Sequence, residues 1–142
     1  MRARDVFMVL GVMTTACGFR PEGAVAVDPP AVFQQWWQDT ESCAGRRGDF
    51  SRIQWYVVAG PSFACPDGRC LGWWSDRHRV YLAGDWRDDE LVVRHEMLHD
   101  IIGDGDHPAS SFALKCHLTW ETWYADSGKT GTNPPRHAMA AP

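Results

Sequence analysis

What the chain lacks narrows its chemistry before any motif is read. It has no internal repeat and no basic patch with interleaved aromatic residues, which removes repeat scaffolds and argues against nucleic acid as a partner. No Cys-x-x-Cys pair occurs among its 5 cysteines, so the usual spacing of a structural zinc site is missing. The N-terminal apolar stretch, Val6 to Met13, is too short to cross a bilayer as a helix. At 142 residues the chain suits one modest domain and falls short of two.

What is present centres on the run His95-Glu96-Met97-Leu98-His99. In a helix, residues four apart lie one above the other, so His95 and His99 share a face and can aim ring nitrogens at one metal ion. Glu96 sits one step round, placed to take a proton from an activated water rather than to bind the metal. By composition alone such a string arises in roughly one to two chains in a hundred of this kind, so its context has to decide.

The context is a helix. Asp85 is the expected cap, and Asp88, Asp89 and Glu90 stand in a first turn where the helix dipole favours acids. From Leu91 to Ile102 the residues Leu91, Val92, Val93, Met97, Leu98, Ile101 and Ile102 form a broad apolar stripe that anchors the helix against a sheet. Gly103 ends it, as a residue free to adopt positive φ.

A catalytic zinc takes three protein ligands and keeps one position open. His107 is the expected third ligand, because Gly103, Asp104, Gly105 and Asp106 give a turn that can bring it back over the helix end. Asp104 and Asp106 are its rivals. With His107 bound, one of these, or Asp100, is a candidate to hydrogen-bond a ligand histidine and fix its tautomer.

These residues resemble the zinc motif of zincin metallopeptidases. His95-Glu96-Met97-Leu98-His99 with Gly103 and His107 is similar to the extended motif of the metzincin branch, over the span Val80 to Ser110. The spacing departs from that motif: Gly103 follows His99 by four positions and His107 by eight, where the branch has three and six. The resemblance implies His95, His99 and His107 as ligands of Zn2+, Glu96 as general base, and a small sheet beside the active-site helix. No counterpart stands out for the branch's methionine turn below the metal, since Met139 lies in a tail rich in Pro and Ala.

At the N-terminus, Arg2 and Arg4 precede Val6 to Met13, and Thr14-Thr15-Ala16-Cys17 follows. This looks like a bacterial lipoprotein signal, residues 1–16, with Cys17 as the lipidated first residue; an ordinary secretory signal or a buried first strand are the other readings. Loss of Arg2, Arg4 and Asp5 moves the formal charge from -4 to about -5. The expected location is the bacterial envelope, facing periplasm or exterior, with membrane contact through the lipid alone.

In that oxidising setting Cys43, Cys65, Cys70 and Cys116 form an even set with three possible pairings. Cys65 and Cys70 enclose the turn Pro66-Asp67-Gly68-Arg69, which favours Cys65 with Cys70 and Cys43 with Cys116.

Along the rest of the chain, residues 17–30 read as a Gly-, Ala- and Pro-rich tether. Ala31 to Ser42 reads as a helix with Val32, Phe33, Trp36 and Trp37 on its apolar side. Ile53 to Ala59, Cys70 to Trp74 and Arg79 to Ala83 read as short strands. Arg79 to Ala83 is the candidate edge for a substrate backbone. Pro108 to Leu118 is expected as a short helix that packs Phe112, Leu114 and Cys116 on the core, with Trp120, Trp123 and Tyr124 as an aromatic group and residues 127–142 as a disordered tail. The fold class is therefore α+β: a small, zincin-like, disulfide-stabilised domain over 31–126, made of an N-terminal helix, a short curled sheet and the active-site helix.

Of the 8 tryptophans, Trp73, Trp74, Trp120 and Trp123 are candidates to line a cleft, although core packing is the commoner role. Tyr81 or Tyr124 could donate to a developing oxyanion. His78 and His117 read as surface residues, and His137 lies in the tail. The expected activity is zinc-dependent peptide-bond hydrolysis by a monomer acting on a peptide or protein. Two readings without catalysis compete with it: an envelope lipoprotein that uses the fold for binding or assembly, and a metal-handling protein. Glu96 favours the enzyme, since neither alternative needs a non-ligating carboxylate beside the first ligand.

Overall fold

The computed structural model describes residues 18–127 of the chain. Cys17 and the residues expected as a signal before it, and residues 128–142 with Met139 and His137, lie outside the described residues. The architecture is mixed α and β with two disulfides.

Strand β1 (Val25–Val27) leads into helix α1 (Val32–Ala44), which starts after Pro29 and Pro30 and stops at Gly45 in the left-handed conformation. Strand β2 (Gln54–Val58), a hairpin of β3 (Phe63–Cys65) and β4 (Gly68–Cys70), and strands β5 (Gly72–Ser75) and β6 (Arg79–Ala83) follow. Helix α2 (Glu90–Ile102) carries the histidine motif, a π-helical turn spans Ser110–Lys115, and α3 (Trp120–Ser127) closes the described chain.

The main sheet runs β1-β2-β6-β5, with β2 and β6 parallel and both outer pairs antiparallel. One face packs on α1 and α2 through Trp55, Val80 and Leu82, joined by Phe33, Trp37, Val92, Met97 and Leu98 in the core. Val58, Tyr81 and Ala83 belong to a second cluster on the opposite face, under Phe63, Phe19 and Tyr56. Period-2 alternation along β6 thus feeds two cores, which is why all of Val80 to Ala83 are buried.

Several expectations change. The stretch read as a tether carries β1, paired in register with Trp55 to Val57 of β2, and Phe19 packs edge-on against Trp73 at 5.5 Å. A three-residue edge strand is too short to show alternation in sequence. β6, expected at the edge, lies inside the sheet, and β1 and β5 are the edge strands. The helix cap is Asp89, whose Oδ1 accepts from the Val92 N–H at 3.0 Å; Asp85 falls in a separate 3-10 turn, Gly84–Trp86, between β6 and α2. Leu114 is 75% exposed, because the wider π-helical winding turns Phe112 and Cys116 inward and leaves Leu114 outside. Ser127 is the last residue of α3 rather than the first of the tail.

The disulfides are Cys43–Cys116, which ties α1 to the chain just before Leu118, and Cys65–Cys70, which closes the β3–β4 hairpin. Two such bonds suit an oxidising compartment. No helix among the described residues is long and apolar enough to cross a membrane.

Candidate metal centre

The site is assembled by α2 and the turn after it. Gly103 takes φ 68° and its N–H returns to the His99 carbonyl at 2.8 Å, ending the helix. Asp106 N–H then donates to the Asp104 carboxylate at 2.9 Å, and this local turn swings His107 back over the helix. The outcome is a cluster of His95, His99 and His107, with ligand atoms all within 4.8 Å of one another. The Nε2 of His107 lies 2.9 Å from that of His95 and 3.2 Å from that of His99.

Tautomers follow from the outer bonds. His95 Nδ1–H donates to the Leu118 carbonyl at 2.9 Å, and His99 Nδ1–H donates to the Asp104 carbonyl at 2.7 Å. Both Nε2 atoms therefore present lone pairs to the centre. A proton on His107 Nε2 can satisfy only one of them, and its Nδ1 is buried without a partner. Three convergent nitrogens with too few protons between them fit a metal ion. His95 and His99 are each under 5% exposed, and burial is the main force that keeps both imidazoles neutral. Burial holds His95 well below its ordinary range, aided by neighbouring His99, and holds His99 at about 4. His107, half as deep, is lowered too, again by burial, while Asp106, Asp104 and Asp67 pull the other way.

Glu96 lines the same cleft and is 3% exposed. Burial pushes its carboxyl up to about 8, opposed by a bond from the Trp74 backbone N–H. The sheet edge explains that bond. Ala83 N–H donates to the Leu71 carbonyl, so the register assigns Trp73 and Ser75 to the bonded pairs with β6 and turns the N–H and C=O of Gly72 and Trp74 to the open edge. Gly72 is needed here: a Cβ would lie 2.8 Å from Glu96 Cδ.

Two aromatic rings frame the ligands. Phe112 sits beneath all three imidazoles, with centroid distances of 4.7 Å to His95, 4.7 Å to His99 and 5.0 Å to His107. Trp74 stacks on His99 at 6.0 Å, and its indole N–H donates to Asp100 at 2.7 Å. The Asp100 carboxylate, 3% exposed, also pairs with His78 Nδ1 at 2.9 Å.

The structure sorts the sequence candidates. Asp104 and Asp106, the rival ligands, stand outside the cluster, and Asp104 orients His99 through its carbonyl rather than its carboxylate. Asp100 orients Trp74 instead of a ligand histidine. His78 is half-buried against Asp100 rather than a free surface residue, and neither it nor His117 joins the three-histidine group. Tyr81 is fully buried on the sheet face away from α2, so it has no path to a reacting carbonyl. Tyr124 stacks on Trp120 at 5.9 Å and does not line the cleft. Trp73 and Trp74 line it, whereas Trp120 and Trp123 pack on the core. The cleft holds about 500 Å³ and opens to solvent above the histidines.

Sequence reading missed Leu118, whose contribution is a backbone carbonyl, and the position of Phe112, which looks like any core aromatic. The chain matches no known protein family, no curated protein and no solved structure.

Proposed function

We propose that the protein is a zinc-dependent peptidase of zincin-like design, with His95, His99 and His107 as ligands and Glu96 as general base. One observation carries the reading: three Nε2 atoms converge at the floor of an open cleft that also exposes a buried, non-ligating carboxylate. Nitrogens on one tetrahedral zinc at about 2.0–2.1 Å stand about 3.3 Å apart. With His107 Nε2 at 2.9 and 3.2 Å from the other two, one ion could take all three nitrogens, and an all-imidazole set suits zinc.

When bound, zinc supplies Lewis acidity and lowers the pKa of water. The chain supplies the rest. Glu96, desolvated and held by the Trp74 N–H, takes a proton from the attacking water and returns it to the leaving amine. The Gly72 N–H and C=O and the Trp74 C=O on β5 offer a strand edge to a peptide backbone, the role expected of β6, while the Trp74 N–H holds Glu96. Phe112 takes the place below the ligands that the metzincin branch gives to a methionine. We read Cys17 as a lipidation site and the folded part as a monomer on the envelope surface.

The test is zinc content by elemental analysis of the oxidised protein and its His107→Ala variant, with cleavage of a mixed peptide library followed in the same samples. One zinc per chain with chelator-sensitive cleavage, both reduced in the variant, is the expected result. Folded protein without zinc would overturn the reading.

A further inference from the structure

The cleft wall carries charge of one sign. Besides the histidines and Glu96, it is lined by Asp67, Asp76 and Asp106 and by the rings of Phe19, Trp73 and Trp74, and among the described residues no Lys or Arg lines it. The basic residue nearest in sequence to Asp67 that the hairpin offers is turned away: Arg69 donates through Nε and Nη2 to Ser62 Oγ at 3.0 and 2.7 Å. Asp67 sits at the tip of that hairpin, whose strands are locked by Cys65–Cys70, and Asp106 sits on the opposite turn that delivers His107. Asp67 and Asp106 thus line the cleft from two different elements. Even a divalent ion on the histidines leaves the four carboxylates of the cleft with net negative charge.

From this lining we infer that the site takes peptides bearing an Arg or Lys side chain beside the bond to be cut. The aliphatic stem packs on Trp73 and Trp74, whose faces also attract a cation, and the charged end reaches the rim carboxylates in water, where its desolvation cost is small. An acidic side chain meets repulsion at the same place. The inference names the substrate class of the proposed peptidase and rests on that reading.

Binding tests it apart from turnover. Zinc-loaded Glu96→Gln protein is titrated calorimetrically with capped pentapeptides that differ only in a central Arg, Leu or Glu. The Arg peptide is expected to bind about tenfold more tightly than the Leu peptide and the Glu peptide most weakly, with the Arg advantage shrinking in high salt. In Asp67→Asn/Asp76→Asn/Asp106→Asn, three exposed positions, the Arg peptide falls to the Leu level. Equal binding of the three peptides, no binding of any, or an Arg preference that survives in the triple variant would overturn the inference. Cleavage by the wild-type protein is scored separately. An Arg preference in binding with no peptide cut sinks the peptidase and leaves only a cleft that prefers cationic peptides; cleavage without charge preference sinks the inference and leaves the peptidase.

Discussion

His95 and Leu118 are bound ring to backbone: the Nδ1–H of the first ligand donates to a carbonyl 23 residues away at 2.9 Å, and Leu118 is fully buried. Two residues before Leu118, Cys116 is cross-linked to Cys43 on α1. The disulfide therefore holds the group that sets the tautomer of His95, a candidate metal ligand. Removing both cysteines as Cys43→Ala/Cys116→Ala frees a loop closed over a separation of 73 residues, which costs roughly 4 kcal/mol by loop entropy. Loss of the ligand's orienting partner is expected to weaken metal binding by about tenfold or more. Urea unfolding of metal-free protein reads the first effect and chelator competition the second. An unchanged affinity would mean that Leu118 is held by its own packing.

Phe112 lies under all three imidazoles, so shortening it tests the floor of the site. Phe112→Ala is expected to cost about 3–5 kcal/mol by cavity formation. Phe112→Leu, which keeps most of the volume, is expected to stay folded at a cost of about 1–2 kcal/mol while metal affinity still falls. Competition with a chromogenic chelator separates the two effects.

Glu96 gives a pH signature. Its folded pKa of about 8 lies above the ordinary 4.5, so its contribution to stability is fully present below pH 4.5 and is lost as pH rises through 8. Metal-free Glu96→Gln is therefore expected to gain about 3 kcal/mol over wild type at pH 7 and nothing near pH 4.5. Cleavage is expected to fall by about 10²–10⁴-fold. Thermal melts at both pH values, with and without zinc, check this, and the gain should shrink once a cation favours the carboxylate.

The histidines have the opposite sign. His99, lowered to about 4, contributes stability to the metal-free fold above pH 6.5 that is lost as pH falls toward 4, by about 3 kcal/mol in all. Because burial already keeps His95 and His99 neutral, protons should compete with the metal first at the half-buried His107. Metal affinity is expected to fall only on the acid side of the ordinary imidazole range, with His107→Ala removing most of that slope; isothermal titration across pH measures it.

Gly72→Ala separates base from metal. A Cβ there meets Glu96 and leaves the histidines untouched, so zinc content is expected to hold while cleavage drops by about a hundredfold through a displaced base. Loss of zinc together with cleavage would show that the damage spreads to the ligands.

The sequence was most legible where a single element carries its own signal. The periodic stripe from Leu91 to Ile101 and Gly103 after it mark the body and end of α2, while its cap, Asp89, lies four residues beyond the expected Asp85, and the turn to His107 follows from two glycines and two aspartates. Arg79 to Ala83 was found as a strand with its limits correct, yet its place inside the sheet was not, because strand order is a tertiary property. The same holds for the partners of the ligands. Two are backbone carbonyls, which leave no side-chain signature, and Trp74 and Asp100 meet across 26 positions. β1 escaped notice because three residues between prolines and glycines look like a spacer.

That strand and Phe19 remove the slack once assigned to a tether. Phe19 is part of the cleft wall and packs on Trp73, so the first described residues belong to the cleft itself. If Cys17 is lipidated as proposed, the anchor is attached only two positions in sequence from this wall. Substrate would then be met by lateral diffusion in the plane of the bilayer, and juxtamembrane segments would be reached before anything in the bulk.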